Sequence, residues 1–302
     1  MPAQESEKNA SIALVTGGTD GLGRAAAVLL AEHGYRVFAG GRNAERRAAL
    51  DQLARDRKLP LETLELDVCD DASVNDAVTE IERRAGPVDI LVNNAGIAIA
   101  AVIEEITLAD LRKQYETNIF GVLRATKRVL PHMRERRRGR IINMSSIAGK
   151  VSIPIMGPYS SSKHALEALS DAMRLELSLF GVHVVLIEPG VIRTSMSRTA
   201  EELSSAYVKG AEQSPYRTVY QGFRSSWDVA TKASHDTPED CARVILRAIE
   251  ETPPRARYLV TREAKISALM RRILPDGVFD SGIKKRLGLE EARASIQRAG
   301  AK

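Results

Sequence analysis

The sequence predicts an α/β fold in which helices cover both faces of a doubly wound, seven-stranded parallel sheet. Short β-branched runs alternate with helical segments from residue 11 onward, which is typical of such a sheet. The first run leads into a glycine-rich turn and then a helix. Because neither a repeat nor a low-complexity linker divides the chain, we expect one main domain at residues 11–261. A short tail at 1–10 would precede it and a basic helical extension at 262–302 would follow it.

The strands are expected where apolar and β-branched residues cluster. They are residues 12–15, 36–39, 61–66, 88–92, 140–144, 183–187 and 257–260. Long helices are expected at 107–137 and 158–180. Asn118 lies inside the first of them, where asparagine is unfavourable. A functional role, a distorted helix or an exposed face would each account for it.

Composition and charge exclude several functional classes. No stretch approaches the ~20 apolar residues of a membrane span, and the first ten residues lack the features of a signal peptide. The two cysteines, Cys69 and Cys241, lie far apart in the chain, which favours a reducing, cytoplasmic setting. The five histidines have no metal-ligand spacing, so no metal site is expected. The basic run at 134–140 lacks interleaved aromatics, which indicates a solvated helix end rather than a nucleic-acid contact.

A glycine-rich turn at 16–23 follows the first predicted strand, as in Rossmann-type nucleotide-binding domains. Glycines let the backbone approach a pyrophosphate, and the start of the next helix stabilises its charge. The second strand ends at Arg42 without the acidic residue that usually reads the ribose hydroxyl of NAD. Arg42 can hold a 2′-phosphate, so NADP is favoured over NAD. A merely exposed Arg42 is the alternative, and Asp20 in the turn would repel that phosphate.

Tyr159 and Lys163 are four residues apart at the start of a predicted helix, which places them on one face. A tyrosine normally titrates near ~10, so we expect the cation to lower the pKa of Tyr159 and make it useful in acid–base chemistry. Ser146 follows a predicted strand, and its hydroxyl could point at the same substrate oxygen as Tyr159. The alternative is structural: in an isolated Tyr-x-x-x-Lys pair, both side chains are more commonly solvated on the helix surface.

Together these elements resemble the short-chain dehydrogenase/reductase family, in its single-domain branch. The matching stretches are Thr-Gly-x-x-x-Gly-x-Gly at 16–23, Leu-Asp-Val at 66–68, Asn-Asn-Ala-Gly at 93–96, Asn118, Ser146 with Tyr159-x-x-x-Lys163, and the run from Pro189 to Thr194. The phrases around Asn118 and at 167–190 are most similar to the retinoid- and steroid-dehydrogenase-like group. This resemblance implies an oxidoreductase that interconverts a ketone or aldehyde with an alcohol on a hydrophobic substrate, and a homodimer or homotetramer formed through the two long helices.

The resemblance also implies roles for particular residues. Tyr159 would exchange a proton with the substrate oxygen, Ser146 would hydrogen-bond that oxygen, Lys163 would act on Tyr159 and bind the nicotinamide ribose, and Asn118 would hold a relay water. The cofactor-binding residues would be Gly17, Thr19, Gly21, Leu22, Gly23, Arg42, Asp67, Val68, Asn94, Ala95, Gly96, Tyr159, Lys163, Pro189, Gly190, Ile192 and Thr194. A non-catalytic NADP(H) sensor and a dehydratase or epimerase that uses the cofactor catalytically remain as alternatives.

Two regions lie beyond the family pattern. Residues 195–236 are polar, and we expect them to be irregular; their aromatic residues would line a lid over a lipophilic substrate or fasten the segment to the domain. These residues are Tyr207, Tyr216, Tyr220, Phe223 and Trp227. In the extension, Ile266, Leu269, Met270, Ile273 and Leu274 share one helical stripe. Packing against the domain is favoured over a substrate-side cap, a subunit contact or peripheral contact with an anionic membrane.

Overall fold

The computed structural model describes residues 11–290 and 293. Seven parallel strands form one sheet in the order β3-β2-β1-β4-β5-β6-β7, so the prediction of a doubly wound parallel sheet is confirmed. The strands are β1 (Ile12–Thr16), β2 (Arg36–Gly41), β3 (Leu61–Glu65), β4 (Ile90–Asn93), β5 (Gly139–Met144), β6 (Val182–Glu188) and β7 (Arg257–Leu259). The tail predicted at 1–10 and most of 291–302 lie outside the described residues.

Helices cover both faces of the sheet. They are α1 (Gly21–Glu32), α2 (Ala44–Arg57), α3 (Asp71–Arg84), α4 (Leu108–Tyr115), α5 (Gly121–Glu135), α6 (Gly157–Ser178), α7 (Ser195–Gly210), α8 (Arg217–Ala233), α9 (Pro238–Glu250), α10 (Arg262–Ile273) and α11 (Asp276–Arg286). Helices α1, α2 and α9 pack on one face, and α3, α5 and α6 pack on the other. Leu14 and Val15 are both fully buried on opposite faces of β1, because a doubly covered strand has no solvent side.

The strand order reverses between the neighbouring strands β1 and β4, and β4 is the central strand. In open α/β sheets a crevice forms at such a switch point, beyond the carboxyl ends of the strands. Here the glycine-rich turn follows β1, and the Asn-Asn-Ala-Gly stretch follows β4. The topology therefore brings two stretches that are far apart in the chain to one edge of the sheet.

The helix predicted at 107–137 is present, but a π-helical turn at Glu116–Phe120 separates α4 from α5. Asn118 lies inside this turn and is buried, so the exposed face that would have explained an interior asparagine is absent at this position. A π turn inserts one residue into a helix and often accompanies functional sites. The helix is therefore distorted at Asn118, and a functional role for this residue stays a prediction.

Residues 195–236 were expected to be irregular, and that expectation is wrong. They form α7 and α8, and the apolar faces of these helices pack on a small cluster that includes Ile155, Ala211 and Tyr220. Polar residues dominate the composition because the opposite faces of both helices meet solvent. The sequence pattern was therefore that of two amphipathic helices rather than of a loop.

The extension begins with α10 and α11, as the basic helical segment predicted. Its apolar stripe does not pack on the domain, however. Ile266, Leu269, Met270 and Ile273 are all exposed, whereas Ala264 on the opposite side of α10 is buried. Within the described part of the chain, no helix is both long and apolar enough to cross a membrane.

Candidate active site

The glycine-rich turn is held in place by the loop that follows β4. Gly17 and Gly21 have φ angles of 60° and 52°, in the left-handed region that favours glycine. Asn94 donates from Nδ2 to the carbonyl oxygens of Thr16 and Gly17, at 3.0 and 3.1 Å. A Cβ atom on Gly23 would overlap both the Asn94 amide and the Gly17 carbonyl. The turn and the β4 loop are therefore locked together by contacts that only a glycine at 23 permits.

This cradle fits a dinucleotide. The turn leads directly into the first turn of α1, whose backbone N–H groups and dipole suit a pyrophosphate. Thr19 is buried against Gly41 at the end of β2 and closes the base of the cradle, next to Leu22 in α1. Asp67 follows β3 at the same edge, where its Oδ1 accepts a hydrogen bond from Cys69 N at 3.0 Å, and Val68 lies beside it.

Basic side chains gather at the end of β2. Arg42 is largely exposed, and its guanidinium lies 3.4 Å from the carboxylate of Asp67. Arg46 was not singled out in the sequence, yet its guanidinium lies 2.5 Å from Asp20 Oδ2. Asp20 is therefore charge-compensated, which removes the repulsion that it would exert on a 2′-phosphate. The signal for Arg46 was its spacing, four residues after Arg42 in the first turn of α2.

Ser146, Tyr159 and Lys163 meet at the carboxyl end of β5. Ser146 begins a short 3₁₀ turn at Ile147–Gly149, and its Oγ accepts from Ala148 N at 3.1 Å. Tyr159 and Lys163 lie in the first two turns of α6, and both are buried. Lys163 donates from Nζ to Met144 O at 2.8 Å, and the same Nζ lies 5.6 Å from the centre of the Tyr159 ring.

The pKa values of this pair depart from the expectation. Burial raises the pKa of Tyr159 to about 12, and a hydrogen bond from Ser146 opposes this rise. Burial also lowers the pKa of Lys163 to about 8, against the attraction of Glu167. The expected lowering of the pKa of Tyr159 by Lys163 is thus wrong for the protein alone, because loss of solvent is the dominant effect on both groups.

Asn118 connects three elements around the site. Its Oδ1 accepts from Ile97 N at 2.9 Å, and its Nδ2 donates to Ile97 O at 2.9 Å and to Ser162 Oγ at 3.0 Å. The π turn, the β4 loop and α6 are therefore joined by one side chain. Gly96 lies against it, since a Cβ there would be 3.2 Å from Asn118 Oδ1 and 3.8 Å from Lys163 Nζ. Ala95, the residue before Gly96, donates from its backbone N–H to Thr16 Oγ1 at 3.1 Å.

A buried charged network lies one helical turn beyond Lys163, and the sequence reasoning missed it. Lys150 Nζ lies 2.9 Å from Glu167 Oε2 and 3.4 Å from Glu188 Oε1. Arg257 Nε reaches the same two oxygens at 3.0 and 3.3 Å. Burial and the neighbouring Glu167 raise the pKa of Glu188 to about 7. Glu188 ends β6 directly before Pro189, so the network supports the loop beside Ser146.

The loop after β6 carries the remaining predicted cofactor residues. Pro189 O accepts from Ile147 N at 2.8 Å and from Ser146 Oγ at 3.5 Å. Gly190 lies so close to Thr261 that a Cβ would overlap its hydroxyl. Ile192 is buried, and Thr194 is the residue before the first turn of α7. This loop therefore connects Ser146 to the helices that follow β6.

The tyrosines predicted to bind substrate are fastened to acidic residues at 104–110. Tyr207 donates to Asp110 and Tyr216 donates to Glu104. Tyr220 donates to Glu105 Oε2 at 2.6 Å and accepts from Val102 N at 3.2 Å. Phe223 and Trp227 instead stack on each other, with ring centroids 5.7 Å apart. The hydroxyl contacts favour the fastening role for the three tyrosines over a direct substrate contact.

A family model described as short chain dehydrogenase matches residues 11–204. The chain belongs to this family. It is therefore a short-chain NAD(P)-dependent dehydrogenase/reductase that acts on CH–OH groups, as the resemblance implied.

Curated relatives extend this match along most of the chain. An uncharacterized oxidoreductase, YusZ of Bacillus subtilis, is 37% identical over 281 residues, covering 92% of this chain and 99% of the relative. The NADPH-dependent 3-dehydrocapnine reductase of Ornithobacterium rhinotracheale is 33% identical, over 91% and 96% of the two chains. The 3-ketodihydrosphingosine reductase of Bacteroides thetaiotaomicron is 38% identical, over 64% of this chain and 69% of the relative.

Solved structures of this short-chain dehydrogenase/reductase fold agree with the sheet. A variant of actinorhodin polyketide ketoreductase, solved with NADPH, has a TM-score of 0.70 and 29% sequence identity, over 86% of this chain and 97% of that chain. The likeness extends beyond the central strands to most of the helices, since so little of either chain is left unmatched.

Proposed function

We propose that this dehydrogenase/reductase prefers NADP(H) and interconverts a ketone or aldehyde with an alcohol on a hydrophobic substrate. The observation that carries the proposal is the meeting of Ser146, Tyr159 and Lys163 beside the β6 loop, at the edge of the sheet where the glycine cradle also opens. An intact triplet argues against a non-catalytic sensor. Acid–base groups held in one place are what carbonyl reduction requires of the protein.

The charge state of Tyr159 supports the role of proton donor. With a pKa of about 12, its phenol stays protonated at neutral pH, which is the form that reduction needs. Ser146 Oγ would donate a second hydrogen bond to the same carbonyl oxygen. NADPH, when bound, supplies the hydride. In the oxidative direction Tyr159 must lose its proton, and Lys163 is the cation near enough to stabilise the phenolate.

The preference for NADP(H) is supported by the pair Arg42 and Arg46. The exposed guanidinium of Arg42 is available for a phosphate, while Arg46 neutralises Asp20. The O. rhinotracheale relative depends on NADPH, and the polyketide ketoreductase was solved with NADPH. Asp67, which lies 3.4 Å from Arg42, would have to yield that arginine to the phosphate.

A hydrophobic substrate is supported by the surroundings of α7 and α8. Ile155, which precedes the catalytic helix α6, packs in a cluster with Ala100, Val102 and Phe223. The B. thetaiotaomicron relative is a 3-ketodihydrosphingosine reductase, so one similar protein reduces a lipid ketone. We extend this substrate class, a 3-keto lipid, to the present enzyme.

A homodimer or homotetramer is part of the proposal. The helices expected to form it carry large exposed apolar side chains, Phe120 next to α5 and Leu175 with Leu179 at the end of α6. Burying such residues against a second copy removes apolar area from water.

The experiment is a fluorescence titration with NADPH and NADH, followed by turnover assays on ketones of increasing chain length. We expect tighter binding of NADPH and oxidation of NADPH that depends on a long-chain 3-ketone. Tight NADPH binding without turnover of any ketone would contradict the proposal and favour a sensor. Product formation without net NADPH consumption would instead indicate a dehydratase or epimerase.

A further inference from the structure

The two helices of the extension, α10 and α11, present an apolar surface to solvent. Ile266, Leu269, Met270 and Ile273 are between 39% and 60% exposed, and they share the face of α10 that is opposite Ala264, which is 1% exposed. Val278 on α11 is exposed as well. A surface helix normally turns its apolar stripe inward, so an outward stripe marks a site of contact.

Basic side chains border this apolar surface. Lys265 and Arg272 lie along one side of the stripe on α10, and Glu263 lies along the other. Lys284, Lys285 and Arg286 form the last turn of α11. Residues 262–290 carry seven basic and four acidic side chains. The guanidinium of Arg271 lies 5.5 Å from the centre of the Phe279 ring, which joins the two helices into one hairpin.

We propose that the hairpin α10–α11 docks onto the surface of an anionic lipid bilayer, with α10 lying in the plane of the interface. An apolar face rimmed by lysine and arginine is complementary to such a surface, because acyl chains accept the face while lipid phosphates attract the rim. Leu269 and Ile273 would be the inserted residues, and Lys284 and Lys285 would contact the headgroups.

Charge favours lipid over a second copy of the chain as the occupant. A two-fold contact through this hairpin would place the same patch against itself, so the basic rim of one copy would meet the basic rim of the other. That repulsion is unfavourable, whereas an anionic surface attracts the basic residues of the rim, which outnumber the acidic ones in residues 262–290. The exposed apolar residues at the end of α6 lie on a different helix and provide a separate surface for self-association.

The hairpin and the residues that flank it also contact α8 and the loop after β6. Ser226 on α8 donates from Oγ to Arg286 O at 3.0 Å, and the buried Leu287 lies directly against Gly222 of α8. Thr261, just before α10, packs on Gly190 in the loop beside Ser146. Docking would therefore hold α8 and the site next to the bilayer. Docking itself does not depend on the proposed function. Only the idea that the enzyme takes a lipid ketone from the bilayer rests on that function.

The test is sedimentation of the full-length protein with vesicles of phosphatidylcholine alone or of phosphatidylcholine mixed with phosphatidylglycerol. We expect binding to the anionic vesicles that weakens as salt is added. The double variant Leu269→Ser/Ile273→Ser should bind about tenfold more weakly. Lys284→Gln/Lys285→Gln should lose about fivefold per charge, whereas Arg55→Gln/Lys58→Gln, which removes two exposed charges from the end of α2, should bind like the wild type.

Nucleotide titration of each variant checks that it is folded, since all these residues are exposed and lie outside the cradle. Absence of vesicle binding would overturn the docking surface, as would equal binding to both kinds of vesicle. A wild-type dimer that Leu269→Ser/Ile273→Ser converts to a monomer would assign the surface to a second copy instead. None of these outcomes depends on turnover, so the docking surface and the proposed reaction can fail separately.

Discussion

Lys163 Nζ lies 5.6 Å from the centre of the Tyr159 ring while it donates to the carbonyl oxygen of Met144 at 2.8 Å. The ammonium is thus tied to the end of β5 rather than to the phenol. Burial shifts the two groups in opposite directions, which raises the pKa of Tyr159 and lowers that of Lys163. In the free protein both groups therefore favour their neutral forms more than they would in water.

Tyr159→Phe tests the proton donor. The change removes only the hydroxyl, so we expect kcat to fall by about 10²–10⁴, the usual contribution of a positioned acid. The Kd for NADPH, measured by fluorescence titration, should change by no more than a few-fold. Ser146→Ala should slow turnover less, because it removes a hydrogen bond and not the proton. If Tyr159→Phe kept most of its activity, another group would have to be the acid.

Arg42→Ala and Arg46→Ala test the 2′-phosphate site. Charge-assisted hydrogen bonds contribute about 1.5–3 kcal/mol each, so the Kd for NADPH should rise about 10- to 100-fold in Arg42→Ala while the Kd for NADH stays unchanged. Arg46→Ala should also weaken NADPH, because Asp20 would regain its uncompensated charge. Arg55→Ala, at the far end of α2, is the matched control. Equal losses for the two nucleotides would exclude a phosphate contact.

Glu188→Gln tests the buried carboxyl pair through the pH dependence of stability. The pKa of Glu188 is raised from 4.5 to about 7 in the folded protein. Between these values the folded state binds more protons than the unfolded state, so the free energy of unfolding should fall as the pH rises from about 4.5 through 7. Glutamine cannot ionise, so Glu188→Gln should be stabilised relative to the wild type over this window.

Urea unfolding at a series of pH values measures the difference. Glu176→Gln, on the exposed side of α6, serves as the control and should follow the wild-type curve. Parallel curves for Glu188→Gln and the wild type would mean that Glu188 is ionised throughout, held by Lys150 and Arg257.

Tyr220→Phe tests the fastening of α8. The Tyr220 hydroxyl is the partner of both Glu105 and the N–H of Val102, and the side chain is buried. Its removal takes the partner from the Val102 N–H and from Glu105 Oε2, although Ser214 still donates to Glu105 Oε1. This should cost about 1–3 kcal/mol in the free energy of unfolding and expose α7 and α8 to proteolysis. Tyr216→Phe removes an exposed hydroxyl and should cost less than about 0.5 kcal/mol. Similar effects for the two variants would contradict the fastening role.

Local patterns were sufficient for the sheet and for placing Tyr159 and Lys163 on one helix. The seven strands were recognisable because strands covered on both faces consist of short apolar runs. The spacing of Tyr159 and Lys163 placed them on one helix face because that geometry is local. Their pKa values were beyond such reasoning, since burial depends on neighbours that are distant in the chain.

The features that escaped prediction depend on long-range contacts. Glu188 acquires its neighbours Lys150 and Arg257 only when the ends of β6, β7 and the 3₁₀ turn meet. Arg46 became meaningful only when α2 placed it against Asp20. For α10 the periodicity correctly identified an apolar stripe. It could not show that the stripe faces solvent, because the opposite side of the helix, at Ala264, is the buried one.

Because of the π turn at Glu116–Phe120, the orientation of α4 relative to α5 depends on the number of residues in this segment. Such a turn holds one residue more than the α-turn that it replaces, and each residue of a helix advances by about 100°. Deleting one residue here would let a regular helix close while rotating α4 relative to α5. Gln114, buried and bonded to Ile99 N at 2.6 Å, would leave its partner. Homologous chains should therefore keep the length of this segment even where they replace residues other than Asn118.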